Sequence, residues 1–281
     1  MEMEKQRQAY HQAICKELLL LDKKGIPSNA DRHSILSVAL ATGILREMGY
    51  DVRTDTSPGQ TSGKIFERLT ANYLEAAFRK LLHIRPGAWQ FTVGRRIEEF
   101  EQYEHLAHLS QTLRLHPQLR ATLGDYLINP DIVIGRTPIG NDELNEAERL
   151  LMTEDGGRIA TLTPLLQKNS YKPILHASIS CKWTIRSDRS QNARTEGLNL
   201  IRNRKGHTPH IVIVTAELYP QRIASLSLGT GDIDCVYHFA LPELQQAARF
   251  MGNEAVLDML DILVSGKRLR DISDLPLDLA I

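Results

Sequence analysis

The sequence lacks several features that mark specialised classes of proteins. Its three cysteines, Cys15, Cys181 and Cys235, are far apart and odd in number, which excludes a disulfide framework and a paired-cysteine zinc site. No apolar run is long enough to span a bilayer, and the first residues carry no hydrophobic segment of a signal peptide. We therefore expect a soluble, cytoplasmic protein of a reducing compartment, without membrane association.

The chain also lacks a net charge, because 34 lysine and arginine residues balance 34 aspartate and glutamate residues. This balance excludes a polycationic tail, so that any nucleic-acid site has to be a local patch. Internal repeats and low-complexity tracts are absent from the sequence. With 281 residues, of which 42% are hydrophobic, the composition is that of a globular protein with a full core.

Hydrophobic periodicity divides the chain into a helical part and a part with strands. Apolar residues recur at helical spacing in residues 34–48, 65–82 and 95–115, with a turn-rich loop over residues 57–63. Short runs rich in apolar and β-branched residues predict strands in four segments, residues 131–135, 174–183, 211–215 and 233–239. A polar helix is predicted over residues 189–203.

This order of elements predicts an α/β fold with a central mixed β-sheet flanked by helices and an N-terminal helical part. We expect one domain over residues 1–281. Within it, residues 1–128 would be mostly helical, and residues 129–281 would form the sheet core.

One predicted strand carries a lysine in a setting that indicates chemistry. Apolar and polar side chains alternate over residues 174–183, so that Ser180 and Lys182 point to the same face. An ordinary half-exposed strand with a solvated lysine is the simplest interpretation. The following segment weakens it, because residues 182–207 have a net charge of +5. Such a local excess is typical of a polyanion site, although a solvated helix would also carry it.

Two carboxylates complete this candidate site. Asp131 opens a predicted strand after Pro130, and Glu196 lies in the polar helix, 14 residues after Lys182. Carboxylates beside a lysine are the elements of a divalent-metal site for phosphodiester hydrolysis. In such a site the ion activates water, and the lysine stabilises charge on the phosphate or helps to deprotonate the water.

Residues 129–131, 180–182 and 186–189, together with Glu196, resemble the Type II restriction endonucleases of the PD-(D/E)xK superfamily. Within that superfamily they are most similar to the tetrameric, NgoMIV-like subgroup that reads CCGG cores. The superfamily places an acid two residues before the lysine, where this chain has Ser180. In the subgroup the acid is displaced to a helix, and Glu196 matches the displaced position.

The resemblance implies a restriction-endonuclease-like core, double-stranded DNA as the substrate and Mg²⁺ as the cofactor, with two ions per active site. It implies catalytic roles for five residues, Asp131, Ser180, Lys182, Glu196 and Glu67. Metal would be held by Asp131 and by the carbonyl of Cys181. For Glu67 the alternative is ordinary charge complementation in the first turn of a helix.

The resemblance further implies that Arg186, Ser187, Asp188 and Arg189 read the major groove. Arginine donates two hydrogen bonds to guanine and aspartate accepts one from cytosine, so that arginine and aspartate side by side suit a C·G step. The structural alternative is a helix N-cap formed by Ser187 or Asp188, in a helix that starts near Arg189. Both interpretations can hold together, because a helix N-terminus often points into the groove.

Three more positions match DNA contacts of the subgroup. Arg222 and Asp31 match readers of an outer G·C pair, which makes GCCGGC the expected site, and Gln60 matches a minor-groove contact. A palindrome requires at least a homodimer, because the protein needs a matching two-fold axis. The subgroup pairs two dimers into a homotetramer. A companion DNA methyltransferase is expected to protect host DNA without being a bound partner.

Two alternatives to a site-specific endonuclease stay open on the sequence. A repair or junction-resolving nuclease of the same fold would not need the paired arginine and aspartate readers. A DNA-binding protein without catalysis would have no reason to keep Asp131, Lys182 and Glu196 together.

Overall fold

The computed structural model describes residues 1–54, 60–116, 118, 129–151, 159–185, 187–229 and 231–281, apart from the side chains of residues 60–61 and 187–191. The α-helices of this part are α1 (Glu2–Glu17), α2 (Ile35–Met48), α3 (Gln60–Phe78), α4 (Leu106–Leu115), α5 (Asn141–Leu144), α6 (Ser187–Asn203), α7 (Pro220–Ser227), α8 (Leu241–Met251), α9 (Glu254–Ser265) and α10 (Leu275–Asp278). The strands are β1 (Leu20–Leu21), β2 (Arg53–Thr54), β3 (Trp89–Val93), β4 (Ile132–Arg136), β5 (Ile174–Lys182), β6 (His210–Thr215), β7 (Cys235–His238) and β8 (Leu269–Asp271).

Within the described part of the chain, six strands form one mixed sheet in the order β3-β4-β5-β6-β7-β8. Strand β4 pairs antiparallel with both of its neighbours, whereas the strands from β5 to β8 are parallel. Strand β6 is buried along almost its whole length, as its continuous apolar sequence predicts for a strand covered on both faces. The predicted α/β fold with a central mixed sheet is confirmed.

Apolar clusters cover both faces of the sheet. Alternate residues of β4 belong to different clusters: Ile132 and Ile134 lie in the larger one and Val133 in the smaller. Leu200 brings α6 to the smaller cluster, and Phe66 brings α3 to the larger one. The sheet is therefore a layer between helices, as expected for this fold class.

Helix α2 shows how local sequence sets the ends of an element. The Ser34 hydroxyl accepts a hydrogen bond from the Ser37 N–H at 3.2 Å, which satisfies a free donor of the first turn. Gly49 ends the helix in the left-handed conformation at φ 72°, which a glycine adopts without steric cost. The helix predicted over residues 34–48 is confirmed.

The structure corrects several predicted elements. Residues 60–63, predicted as a loop, belong to α3, whereas residues 57–59 of that loop lie outside the described residues. Of the helix predicted over residues 95–115, only Leu106–Leu115 is α-helical. Two short 3₁₀ helices precede it and are separated by Phe100, which is extended because its fully buried ring packs into the smaller core cluster.

The sequence patterns do not predict two strands of the sheet. Strand β3 alternates apolar and polar residues, but it lies in the part predicted to be mostly helical and pairs with β4 across a long stretch of chain. Strand β8 has three residues, which is too short for a periodicity signal. No helix of the described residues is long and apolar enough to cross a membrane.

The sheet register brings three chain segments to one place. Ile132, the first residue of β4, pairs with Ile179, so Asp131 lies beside the last residues of β5. On the other side Lys182, the last residue of β5, pairs with Thr215 at the end of β6. The candidate site is therefore built where β5 and β6 end and β4 begins.

Close packing of α2 on α8 gives a first prediction. A Cβ at Gly43 would lie 2.5 Å from the Ala247 Cβ and 3.2 Å from its Cα, which cannot move without the backbone. We expect Gly43→Ala to lower the free energy of unfolding by about 1–3 kcal/mol, the usual cost of overpacking. Urea denaturation followed by circular dichroism measures this change.

Gly63→Ala is the matched control in another helix. Among the described residues, the nearest atom to its Cβ outside the helix backbone would be the Glu67 Oε1 at 3.9 Å, so we expect a neutral or slightly stabilising effect. Equal stability of the Gly43→Ala protein and the wild type would show that the helices separate without cost.

Candidate active site

The carboxylate of Asp131 is the centre of the polar contacts at the end of β5. Its Oδ2 accepts hydrogen bonds from the Cys181 backbone N–H at 2.7 Å, from the Lys182 Nζ at 3.1 Å and from the Ser180 Oγ at 3.4 Å. On the other side, the Asp131 carbonyl accepts a hydrogen bond from the Gly94 N–H at 3.0 Å. The Asp131 side chain thus provides the hydrogen-bond acceptor for β5 where the main-chain pairing of β4 with β5 ends.

Strand geometry fixes the direction of each group at this site. Ser180 and Lys182 both reach Asp131, in agreement with the shared face that the strand period predicts. The N–H and the carbonyl of one strand residue point to the same edge, so that the Cys181 carbonyl points toward Asp131. The Lys182 carbonyl points the other way and accepts hydrogen bonds from the Thr215 Oγ1 at 2.7 Å and the Ala216 N–H at 3.2 Å.

Two glutamates lie within the electrostatic influence of this pair. Burial raises the pKa of Glu196; the charge of Lys182 lowers it and that of Asp131 raises it. Burial is also the largest cause of the raised pKa of Glu67, followed by the charge of Asp131, while Lys182 and Lys64 act to lower it. The structure therefore brings both predicted acids to Asp131 and Lys182.

The position of Glu67 in its helix differs from the prediction. Because α3 begins at Gln60, Glu67 lies in the second turn and not in the first. Charge complementation of the first turn therefore does not account for this residue. Its side chain is partly buried and interacts with the charges of Asp131 and Lys182 instead.

The donor set fits a hard divalent cation. Among the described residues, no three His, Cys, Asp or Glu side chains form a closed metal-binding cluster. Magnesium does not need one, because it is bound through one or two carboxylates and keeps several waters. The Asp131 carboxylate and the Cys181 carbonyl are oxygen donors on one edge of β5, and Glu67 and Glu196 add negative charge that Lys182 alone does not balance.

Comparison with known proteins identifies the family. A model of the NgoMIV restriction enzyme family matches residues 10–281. The Type II restriction enzyme NgoMIV of Neisseria gonorrhoeae is 49% identical to this chain, and the alignment covers 98% of each protein. The chain belongs to the NgoMIV restriction enzyme family. It is a Type II restriction endonuclease, a site-specific deoxyribonuclease, as the sequence resemblance predicted.

Family membership decides between the hypotheses that the sequence left open. It argues against a structure-directed repair nuclease and against a DNA-binding protein without catalysis.

Two solved structures of restriction endonucleases are similar to this chain at a low level. PspGI in complex with substrate DNA has a TM-score of 0.36 at 12% identity, covering 99% of this chain and 92% of that chain. Bse634I has a TM-score of 0.34 at 14% identity, covering 76% of this chain and 80% of that chain.

The predicted major-groove segment lies at the start of α6. Arg186 falls outside the described residues, whereas Ser187, Asp188 and Arg189 occupy the first turn of the helix, with side chains that are not described. The polar helix predicted from about residue 189 is confirmed and begins at Ser187. Gln60 is the first residue of α3, and its side chain is likewise not described.

The two predicted readers of the outer base pair lie on segments that contact each other. The Arg222 guanidinium, in α7, lies 4.7 Å from the ring centroid of Tyr219. The Tyr219 hydroxyl is hydrogen-bonded to the Ser34 hydroxyl. Asp31 begins the turn that leads to Ser34, and its Oδ1 accepts a hydrogen bond from the His33 N–H at 3.1 Å.

Sequence reasoning missed one residue at this end of the sheet. Glu217 is 3% exposed and contacts both the segment after β5 and Arg222. A signal was available, because an acid lies two residues after a continuous apolar strand. The carboxyl ends of parallel strands are where sites form in open sheets.

The raised pKa of Glu196 predicts an effect on stability. The folded protein holds the proton of this carboxyl more tightly than the unfolded chain, mainly because the carboxyl is buried. The contribution to stability is therefore complete below the ordinary glutamate pKa and is lost as the pH rises through the raised value. Glu196→Gln replaces the ionisable carboxyl by a neutral amide and therefore removes this loss of stability at high pH. We expect a higher Tm than the wild type at pH 8 in EDTA, and a smaller difference as the pH is lowered.

Circular dichroism melting curves over a pH series measure this difference. Glu148→Gln, at an exposed position outside the helices and strands, is the control and should leave the Tm almost unchanged at every pH. An unchanged or lower Tm of the Glu196→Gln protein at pH 8 would contradict the unfavourable burial of this carboxylate.

Proposed function

We propose that this enzyme cuts double-stranded DNA at the palindrome GCCGGC in a Mg²⁺-dependent reaction. The observation that carries the proposal is the Asp131 carboxylate, which binds the Lys182 ammonium and the Cys181 N–H at the end of β5. Glu67 and Glu196 interact with the same two charges. Carboxylates and a lysine at one point of a sheet are what hydrolysis of a phosphodiester requires.

Asp131 and the carbonyl of Cys181 are the residues that we expect to hold the metal. Two ions per active site would bring four positive charges to a site with three carboxylates. Glu67 and Glu196 would interact with these ions directly or through water. When bound, Mg²⁺ activates water and neutralises the charge that develops on the phosphate. Ser180 keeps the Asp131 carboxylate oriented toward the edge of β5.

Lys182 has the remaining chemical role. Its side chain is 17% exposed, so that its ammonium acts in a site from which most water is removed. There it can stabilise the additional negative charge on the phosphate or help to deprotonate the attacking water. The clamp of its carbonyl by Thr215 and Ala216 limits how far the residue can move during the reaction.

Recognition of the CCGG core is assigned to Arg186, Ser187, Asp188 and Arg189. Helix α6 begins five residues after Lys182, which supports a reading segment close to the scissile bond. The N-terminal residues of a helix that points into the major groove can reach base edges. The outer G·C pair is assigned to Arg222 and Asp31, and a minor-groove contact to Gln60.

A two-fold symmetric target favours a homodimer, and we propose that two dimers form a homotetramer that binds two DNA duplexes. A companion methyltransferase would protect host DNA without binding this protein. We place the enzyme in the cytoplasm, where Cys15, Cys181 and Cys235, all free and buried, would stay reduced.

Cleavage of plasmid DNA tests the proposed reaction. We expect ends that map to GCCGGC by sequencing, with Mg²⁺ required and EDTA inhibiting. Lys182→Ala should slow cleavage by roughly 10²-fold or more, the range for a proton-transfer group. Specific binding in Ca²⁺, measured by gel shift, should stay close to that of the wild type.

Lys5→Ala, at an exposed position of α1, is the matched control and should cut normally. Cleavage at sites that lack CCGG would refute the proposed specificity. Near wild-type cleavage by the Lys182→Ala protein would refute the assignment of the active site.

The proposed homotetramer predicts a dependence on the number of sites. A plasmid with two GCCGGC sites should be cut faster than a plasmid with one, because both duplexes are bound together. Short cognate duplexes added in trans should accelerate cleavage of the one-site plasmid. A dimeric mass by light scattering, together with equal cleavage rates on both plasmids, would refute the homotetramer and support a dimer.

A further inference from the structure

Glu217 is a buried carboxylate that the reaction does not use. It lies two residues after β6, at the end of the sheet that carries Asp131 and Lys182, and is 3% exposed. A carboxylate is buried at this depth only when its oxygens are well satisfied, since an unpaired buried charge costs a large free energy. The partners that satisfy it therefore indicate why it is there.

The two oxygens of Glu217 bind different segments of the chain. Oε2 accepts a hydrogen bond from the Ile185 N–H at 2.7 Å. Oε1 accepts hydrogen bonds from the Leu218 and Tyr219 N–H groups at 3.1 and 3.0 Å. The same Oε1 lies 3.5 Å from the Arg222 Nη1.

These contacts reach both segments to which base reading is assigned. Ile185 directly precedes Arg186, the first residue of the proposed CCGG-reading segment. Arg222 is the proposed reader of the outer pair, and its guanidinium also packs on Tyr219 at 4.7 Å. One buried carboxylate thus fixes the backbone before one reader and the direction of another.

Glu217 is also connected to the catalytic strand. Its N–H donates to the Thr215 Oγ1 at 3.1 Å, and the same hydroxyl donates to the Lys182 carbonyl at 2.7 Å. The Tyr219 hydroxyl extends the network to Ser34, in the turn that begins with Asp31. Side chains held by fully satisfied buried networks keep one geometry.

We propose that Glu217 is a positioning residue for DNA recognition, which aligns Arg222 with the segment that begins at Arg186. This inference rests on the proposed function, because it takes the reading roles of Arg222 and Arg186 from there. Glu217 does not touch DNA in this proposal. It acts by fixing the Arg222 guanidinium relative to the backbone at Ile185.

The chemistry of the two carboxylate oxygens defines the test variant. Glu217→Gln keeps the shape of the side chain but leaves one acceptor oxygen and no charge. If that oxygen stays with Leu218 and Tyr219, the amide NH₂ faces the Ile185 N–H, and two donors then oppose each other. In either orientation Arg222 loses its anionic partner.

A double-mutant cycle measures the coupling. The readout is the ratio of kcat/KM for a GCCGGC duplex to that for an ACCGGT duplex, measured for the wild type, Glu217→Gln, Arg222→Ala and the double variant. Arg222→Ala should lower this ratio by about fivefold or more, as expected for a lost arginine–guanine contact. Glu217→Gln should lower it several-fold, and it should add nothing once Arg222 is replaced.

Several outcomes separate the inference from the proposed function. If Arg222→Ala lowers the ratio and Glu217→Gln does not, or if the two effects multiply, the positioning role is wrong and the reading role of Arg222 stands. If Arg222→Ala alone leaves the ratio unchanged, the reading role fails, and this inference fails with it. An equal loss of cleavage on both duplexes by Glu217→Gln would show a merely structural role and overturn the proposal.

Two further variants keep the test decisive. Glu254→Gln, an exposed glutamate on α9, should leave the ratio unchanged. Glu217→Asp keeps the charge and shortens the side chain, and it takes the place of Glu217→Gln in the cycle if circular dichroism shows that the latter does not fold. The same non-additivity with Arg222→Ala is expected, and additive effects would overturn the proposal.

Discussion

The hydrogen bond from the Cys181 N–H to the Asp131 carboxylate is the interaction on which the rest of the site depends. It forms where the antiparallel pairing of β4 with β5 ends, and it replaces a main-chain partner by a carboxylate. The same carboxylate accepts a hydrogen bond from the Lys182 ammonium, so that one side chain lies both at the end of the strand pairing and at the candidate active site. Site geometry therefore follows from sheet register: a slip of one residue would turn Lys182 to the opposite face.

The charges at this point oppose the stability of the fold. Asp131, Glu67 and Glu196 all interact with the charge of Lys182, and burial together with the charge of Asp131 raises the pKa of both glutamates. Such an arrangement is unfavourable for the protein by itself and favourable for a hard cation. Perturbed carboxylates in one place are typical of functional sites, where the local cost is offset by packing elsewhere in the fold.

The residues proposed for recognition and those proposed for catalysis lie close together at the end of β6. Thr215 contacts the carbonyl of Lys182, and Glu217, two residues later, contacts Ile185 and Arg222. The short turn after a buried parallel strand thus borders the candidate active site on one side and the proposed reading segments on the other. A parallel sheet favours this arrangement, because the carboxyl ends of neighbouring strands lie at the same edge.

The sequence by itself determined the fold class and the alternation in β5, because these depend on local periodicity. It indicated the acids around Lys182 through the resemblance to a family, although Asp131 and Glu67 lie far from Lys182 in the chain. It did not determine β3, β8 or the break at Phe100, since these form through pairing and burial against distant segments. It also placed Glu67 in the wrong turn and overlooked Glu217. Only the tertiary structure decided those, because a carboxylate's role depends on which N–H groups and charges surround it, and Glu217 meets Ile185 and Arg222 only after β5 and β6 have paired.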